Sequence, residues 1–310
     1  VNLSAVNFDI TTDTVNLHRR DYNMTPQIFP NGTEGFTAFT GVFNPNDLPY
    51  LNTVDIDETT YTVNNNFNQY LSQYHSAKIP IYDANANAMH TLFFGGMSQF
   101  TMDAQGNLVE DTDVPFVKTI SKVTRLSNGT MQEAKLDYIE MPTLVGSGAE
   151  FIPVNQYYLP REILDLNSVP QTKTLIGYIY GGIESSQENI FFINDGTQSS
   201  ASNVIFKVYL NKSTADVEET ILTGENVFNP SLYPVPSSDE ITLAFNAARP
   251  ETMEYKIIDA SGKIVKSETL KIISEGEKKI NIDIANFASG TYTLILQNEV
   301  HNVQRQFIKN

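Results

Sequence analysis

The sequence predicts an all-β protein with two domains. Three observations carry that prediction: apolar residues alternate with polar ones in short runs, Asx- and glycine-rich stretches separate the runs, and an aromatic run ending in glycine recurs three times. A period of two puts every second side chain on one face of a half-buried strand. We expect residues 1–224 to form a first β-domain and residues 225–310 to form a small antiparallel sandwich.

The C-terminal segment carries the strand pattern most clearly. Ile280, Ile282 and Ile284 alternate with polar residues, and residues 292–296 repeat the same period. A turn at residues 286–290 separates these two runs, and a second turn at residues 259–263 separates two earlier runs; each contains a glycine that suits positive φ. With further runs at residues 240–245 and 303–309, the segment predicts six or seven short strands in an immunoglobulin-like β-sandwich.

Several short motifs of this segment follow the order of a known family. They are Asn229-Pro230, residues 236–243, residues 255–265, residues 287–292 and the closing Phe307-Ile308-Lys309. Together they resemble the type A C-terminal sorting domain of the type IX secretion system. The two most specific motifs are Asp-x-Ser-Gly-Lys at residues 259–263 and Ser-Gly-Thr-Tyr at residues 289–292. One departure is the opening, where Asn229-Pro230 and Pro234-Val235-Pro236 replace the compact Pro-Asn-Pro usual in the family.

The resemblance implies export across a bacterial outer membrane by way of the periplasm, to the cell surface or the medium. It implies recognition by the translocon of the type IX system and by its outer-membrane shuttle barrel. We expect the terminal strand to insert at the mouth of that barrel, with Lys309 supplying a charge contact. The residues predicted to take part in recognition are Gly262, Lys263, Gly290, Tyr292, Arg305, Phe307, Ile308 and Lys309.

Composition excludes several classes of function. The net charge is −16, and 25 of the 36 acidic residues but 11 of the 20 basic ones precede residue 225. An acidic first domain repels phosphate backbones, so we predict no nucleic-acid partner. No apolar run of eighteen residues occurs, so no transmembrane segment is predicted. The absence of cysteine excludes disulfides, thiolate metal sites and cysteine nucleophiles.

The recurrent run defines the expected architecture of the first domain. Residues 36–43, 91–98 and 175–186 each form an aromatic run that reaches glycine, at Gly41, at Gly95-Gly96 and at Gly181-Gly182. A second alternating run follows each of them. This repeat is similar to the blades of kelch-type β-propellers, in which such glycines let neighbouring blades approach closely. Three units are too few for a closed ring, so part of a propeller and a different two-sheet β-fold both remain open.

No catalytic, cofactor or metal site is predicted. The four histidines form no metal-binding pair, and the nucleophile elbow, P-loop and dinucleotide motifs do not occur. Two acidic clusters, at residues 55–58 and 110–113, could supply the paired acids of a glycan hydrolase, although solvated turns are the simpler interpretation. Asp103 and Asn107 bound a loop that suits calcium only in part.

Two smaller motifs suggest local functions. Arg19, Arg20 and Asp21 either face a ligand or tie one loop to its neighbour. Asp13-Thr14-Val15 resembles an acceptor motif for O-glycosylation in exported proteins of the type IX lineage.

These observations favour a secreted or surface-displayed cargo protein with a non-enzymatic, adhesion-type first domain. Its ligand would be an extracellular glycan or protein. The alternative is a glycan-active hydrolase on a propeller scaffold. A hydrolase requires paired acids in one pocket, whereas a binding module requires aromatic and amide side chains.

Overall fold

The computed structural model describes residues 9–103, 106–190, 193, 195–212, 219–222, 230–247, 250–274, 276–298 and 302–310. Among these residues the fold is all-β, as the sequence predicts, and the one helical element is a 3-10 turn at Pro160–Glu162. No helix of the described chain is long and apolar enough to cross a membrane. The chain divides into two compact units, Val1–Gln99 with Asp113–Ile221, and Phe100–Thr112 with Leu222–Asn310.

The strands in chain order are β1 (Asn23–Ile28), β2 (Glu34–Phe39), β3 (Thr53–Ile56), β4 (Tyr61–Asn64), β5 (Ala77–Asp83), β6 (Ala88–Phe94), β7 (Phe100–Met102), β8 (Leu108–Glu110), β9 (Thr119–Arg125), β10 (Met131–Glu140), β11 (Leu144–Pro153), β12 (Tyr158–Leu159), β13 (Ile163–Asp165), β14 (Thr174–Ser185), β15 (Ser199–Ala201), β16 (Ile205–Leu210), β17 (Glu219–Leu222), β18 (Ser231–Tyr233), β19 (Glu240–Ala247), β20 (Glu251–Asp259), β21 (Ile264–Ile272), β22 (Gly276–Asp283), β23 (Gly290–Gln297) and β24 (Asn302–Lys309).

Three sheets build the first unit. Sheet A is the antiparallel meander β1-β2-β3-β4. Sheet B has the order β12-β13-β5-β6-β9-β10-β17, and within it β13 runs parallel to β5. In sheet C, β14 pairs with β11 on one side and with β15 and β16 on the other. The strands expected within the recurrent runs are therefore present as β2, β6 and β14.

Sheet B lies between the other two sheets. One of its faces carries Ile79, Phe94 and Ile120, which share a buried cluster with Ile176 and Ile179 of sheet C. Its opposite face carries a second buried cluster that reaches sheet A through Phe39; the members of this cluster are Phe39, Phe67, Phe93, Val123 and Met131. Adjacent residues of β6 point to opposite faces, so this one strand contributes side chains to both buried clusters.

The glycines after β6 allow sheets B and C to approach closely. A Cβ on Gly95 would lie 2.2 Å from the Val145 carbonyl oxygen, and a Cβ on Gly146 would lie 2.2 Å from the backbone nitrogen of Gly96. The backbone amide of Gly96 donates to the Val145 oxygen at 3.4 Å. Only glycine fits where two backbones meet at this distance.

The arrangement differs from the blade pattern in two ways. The described residues form no closed ring of sheets, and sheet B has seven strands, drawn from separate parts of the chain. The expected strand end at Gly181-Gly182 is wrong, because β14 continues to Ser185. The ladder continues past these glycines, with Gly181 opposite Ala149 and Ile183 opposite Ser147, and its register shifts only after them, between Val145 and Ser147.

Two antiparallel sheets build most of the second unit, with strand orders β18-β19-β22 and β21-β20-β23-β24. They enclose one buried core, whose largest fully buried side chains are Tyr255, Phe307 and Ile241. The strands predicted in this segment from the alternating runs are all present. The hairpin β7–β8 belongs to the same compact unit.

Candidate functional site

The turn at residues 259–263 is built by its own side chains. One carboxylate oxygen of Asp259 accepts hydrogen bonds from the Ser261 amide at 2.9 Å, the Ser261 hydroxyl at 2.6 Å and the Lys263 amide at 3.1 Å. These bonds, the Ser261 hydroxyl first, hold the pKa of Asp259 below its ordinary value. Gly262 has φ +83° with open space around its Cβ position, so backbone conformation selects the glycine. Lys263 is exposed.

Tyr292 anchors the second motif in the core. Its ring is buried between Phe287 and Phe307, with centroids 5.2 Å and 5.5 Å away. Its hydroxyl donates to the Ala288 carbonyl oxygen at 2.8 Å, which ties the preceding turn to the sheet. Tyr292 therefore has a structural role in the core of the folded unit.

The terminal strand β24 lies at the edge of its sheet and has one face in the core. Val303 and Phe307 are buried, whereas Ile308 is 49% exposed. Lys309 is only 8% exposed, and its Nζ donates to the Asn310 carbonyl oxygen at 2.6 Å. The lysine expected to make a charge contact is thus folded against the unit.

The outer edge of β24 is paired at its end. The Ser237 amide donates to the Ile308 oxygen at 3.0 Å, and the Asn310 amide donates to the Ser237 oxygen at 3.0 Å. Arg305 Nε donates to the Pro230 oxygen at 2.9 Å. The segment before β19 therefore forms hydrogen bonds with the last residues of the chain. The sequence pattern did not indicate this contact.

The structure brings the predicted recognition motifs together. In the ladder Asp259 pairs with Tyr292, Tyr292 pairs with Phe307, and Gly290 pairs with Lys309. The 259–263 turn, the start of β23 and the end of β24 consequently lie at one end of the four-stranded sheet. Arg305 lies two ladder positions before Phe307 on β24. The role of these residues in recognition stays a prediction.

Other residues noted in the sequence have local structural roles. Arg19 donates to the carbonyl oxygens of Asn16 at 2.7 Å and Thr40 at 2.8 Å, and its guanidinium lies 4.0 Å from the Tyr50 ring centroid. Burial lowers the pKa of Arg19 to about 10. This arginine ties loops together, while Arg20 is exposed and pairs with its neighbour Asp21 at 3.0 Å.

Two of the acids considered for catalysis, Asp55 and Asp57, have structural partners. Asp55 accepts from Arg125 at 2.6 Å and from the Thr37 hydroxyl at 2.6 Å, between sheets A and B. Asp57 accepts from the Thr59 amide at 2.7 Å within its own turn. Glu110 is the last residue of β8 and Asp111 follows it, and both belong to the second unit.

The remaining small motifs are also turns. Asp103 accepts from the amide and side chain of Asn107 at 2.9 Å and 2.8 Å, and the two residues between Asp103 and Gly106 lie outside the described chain. Asp13 accepts from the Val15 amide at 2.9 Å, which leaves Thr14 exposed. Hydrogen bonds led by the Asn16 side chain lower the pKa of Asp13 to about 2.

Within the described part of the chain, no three His, Asp or Glu side chains gather as metal ligands. His301 lies outside the described residues.

An exposed aromatic face on sheet C was missed by the sequence analysis. Tyr180 is 54% exposed, Tyr209 44% and Ile205 60%, and Tyr180 pairs directly with Ile205 across the ladder. Ile179, which precedes Tyr180 on β14, and Phe206, which follows Ile205 on β16, face the core instead. Both faces of β14 are apolar, so alternation of polarity could not separate them; the alternation of tyrosine with isoleucine was the available signal.

A comparison with family models matches residues 231–310 to the secretion system C-terminal sorting domain. No curated protein matches the chain. The C-terminal segment is thus a sorting domain of the type IX secretion system, and it directs export across the outer membrane to the cell surface or the medium. The match covers none of sheets A, B and C.

Proposed function

We propose that the first unit is a non-enzymatic binding module that the sorting domain carries out of the cell, and that it binds an extracellular glycan on sheet C. The observation that carries the proposal is the exposed face of Tyr180, Tyr209, Ile205 and the half-exposed Tyr178. A contiguous exposed apolar surface on a soluble domain commonly marks an interaction site.

The chemistry of this face suits a sugar chain. Tyrosine offers a flat apolar ring that can stack on the C–H face of a pyranose, and a hydroxyl that can hydrogen-bond to sugar hydroxyls. Lys173 lies with its Nζ 4.7 Å from the Tyr209 ring centroid, and Tyr178 pairs with Lys207 across the ladder. Lys207 lies within this face, between Ile205 and Tyr209 on β16, and Glu150 pairs with Tyr180 on the β11 side, so charged donors and acceptors lie beside the tyrosine rings.

The test is affinity electrophoresis of the whole chain in gels that contain neutral or acidic polysaccharides. We expect retardation by at least one polysaccharide, and loss of most of it when Tyr180 and Tyr209 are both replaced by alanine. Stacking on one aromatic ring contributes roughly 1 kcal/mol, so two losses should weaken binding about thirtyfold.

Tyr138→Ala is the matched control, because Tyr138 is 59% exposed but lies on sheet B. Equal retardation of the double variant and the wild type would overturn the proposal. Binding to an extracellular protein but to no polysaccharide would instead indicate that this face binds a protein ligand. The hydrolase alternative gains no support from Asp55 and Asp57, whose carboxylates are engaged in local contacts.

We further propose two finer descriptions of the fold. The orders β18-β19-β22 and β21-β20-β23-β24 support an immunoglobulin-like sandwich for the sorting domain. The face-to-face packing of sheets A, B and C supports a partial, blade-like stack for the first unit. A crystal structure of the chain is the test of the second description, and sheets that do not pack radially about one axis would contradict it.

We propose that the end of the four-stranded sheet engages the outer-membrane shuttle barrel. Ile308 and Lys263 are the exposed apolar and basic residues there. Contact with Lys309 would require the last residues to leave Ser237, since the lysine is buried in the folded unit.

Export assays should therefore use point variants, because deletion of residues 304–310 would also remove Phe307 from the core. We expect Ile308→Ser with Lys263→Ala to leave a folded protein in the periplasm. Ile273→Ser is a control, since Ile273 is 87% exposed and follows β21 at the other end of the sheet. Normal export of the double variant would exclude this surface.

A further inference from the structure

A small pocket lies where all three sheets of the first unit meet. Its volume is about 160 Å³, and strands β1, β5 and β11 and the turn at Pro160–Glu162 line it. A pocket of this volume lies below the roughly 300–1,000 Å³ typical of sites for drug-sized ligands, so it suits a small molecule.

The pocket opens along an uncovered stretch of a strand edge. The parallel partner β13 pairs only with Ile81 and Tyr82 of β5, so it leaves the edge at Lys78 and Pro80 unpaired. Pro26 and Pro153, from β1 and β11, also line the pocket. Proline lacks an amide donor, so a strand partner is disfavoured here and a small molecule is favoured.

The charged groups of the pocket are not paired with one another. Lys78 is half-buried, and within the described residues no ion pair includes Lys78, Glu150 or Glu162. Arg161, the other cation of the lining, already contacts Glu34 at 3.3 Å. The available charges are therefore one ammonium and two carboxylates.

A half-buried ammonium without a bonded partner is costly. Burial lowers the pKa of Lys78, and the nearby charge of Glu150 opposes that shift. A ligand carboxylate beside Lys78 would supply the missing partner. A simple anion would also meet Glu150 and Glu162, and these two carboxylates favour a ligand that carries an ammonium group as well.

We propose that this pocket binds a free amino acid of small side chain, with its carboxylate at Lys78 and its ammonium at Glu150 and Glu162. The walls formed by the prolines and Phe151 suit an aliphatic side chain. The pocket borders the tyrosine face, because Glu150 pairs with Tyr180 across the β11–β14 ladder, but its ligand does not depend on the function proposed for that face.

The test is isothermal titration calorimetry of the full chain with glycine, L-alanine, L-valine and L-proline. Acetate and methylammonium serve as half-ligands. We expect at least one amino acid to bind with a millimolar or lower Kd, and the half-ligands to bind at least about tenfold more weakly. Lys78→Met should weaken amino-acid binding about tenfold or more, and Glu150→Gln should act in the same direction.

Lys135→Met is the matched control, because Lys135 is a half-buried lysine of sheet B that pairs with Asp137 outside the pocket. Circular dichroism verifies that each variant is folded. If Lys78→Met does not fold, the affinity of Glu150→Gln for amino acids is the test, since Glu150 is exposed and its substitution should not prevent folding. Absence of binding by all four amino acids, or unchanged affinity in the folded variants, would overturn the proposal.

Discussion

The two interfaces of sheet B are held together by different chemistry. Toward sheet C the contacts are apolar, through residues such as Ile79, Leu164 and Ile179. Toward sheet A many of the buried residues are polar, and they include Asn23, Thr37, Gln73, Ser121, Arg125 and Glu133. Two buried interfaces of one sheet can therefore depend on different interactions.

Gln73 illustrates the polar interface. Its side-chain amide donates to the Gly95 oxygen at 3.0 Å and to the Thr119 oxygen at 2.6 Å, and its carbonyl accepts from the Ser121 hydroxyl. Asn23 of sheet A in turn donates to the Gln73 backbone oxygen at 2.8 Å. A buried polar group needs hydrogen-bond partners, so the loss of one side chain leaves another without its partner. An apolar interface loses stability in proportion to the volume removed.

The largest expected effect is a pH dependence of the free energy of unfolding, caused by one buried carboxyl group of the polar interface. Burial raises the pKa of Glu133 to about 8, against hydrogen bonds from the Leu71 and Tyr70 amides that lower it. The folded protein then holds this proton more tightly than the unfolded chain, whose ordinary value is 4.5. Its contribution to stability is complete below pH 4.5 and is lost as pH rises to about 8, by up to about 5 kcal/mol.

Glu133→Gln removes this titration and keeps an acceptor for the two amides. Urea unfolding of both proteins at a series of pH values measures the difference. We expect the stability of the wild type relative to the variant to fall with rising pH. Parallel curves would show that Glu133 does not titrate in this range.

Arg125→Met should be the next most damaging change. Arg125 and Asp55 have side-chain exposures of 7% and 19% and form an ion pair at 2.6 Å, so the variant leaves a carboxylate buried without its partner. We expect a loss of about 4 kcal/mol in the free energy of unfolding, measured by urea denaturation. Lys279→Met, which removes an exposed pair with Glu277, should cost less than about 1 kcal/mol. A similar loss of stability in Arg125→Met and Lys279→Met would contradict the expected difference between a buried and an exposed ion pair.

Ile179→Ala tests the apolar interface. Ile179 is 2% exposed in the cluster between sheets B and C, so the variant should lose about 3 kcal/mol, and Ile179→Val about 1 kcal/mol. Chemical denaturation of the pair gives the gradation. An equal loss for valine and alanine would show that shape, and not volume, governs this interface.

A small effect is expected for Thr91→Val in the polar interface. The Thr91 hydroxyl accepts from Gln27 Nε2 at 3.3 Å, and Gln27 Nε2 also donates to the Thr25 hydroxyl and the Pro26 oxygen at 3.1 Å each. Because Gln27 keeps these other partners, we expect a loss of only about 1 kcal/mol. A loss above that of Arg125→Met would show that the hydrogen bonds of this interface act as one unit.

The strands and turns followed from local pattern. Alternation predicted β19, β22 and β23, because a strand that buries one face must repeat with period two. The turn at residues 259–263 was also predictable, since Asp259 caps it and Gly262 adopts its positive φ without outside help. The sorting domain was recognisable for the same reason, since its motifs are short and contiguous.

Long-range contacts determined the rest, and no pattern along the chain encodes them. The parallel pairing of β13 with β5, the passage of β14 beyond Gly181-Gly182 and the burial of Lys309 each depend on residues distant in sequence. The polar interface and the amino-acid-sized pocket arise in the same way, because a buried glutamine or an unpaired lysine reads as a surface residue until its neighbours are known. Local propensity thus defined the strands, while the packing of sheet against sheet defined which side chains meet.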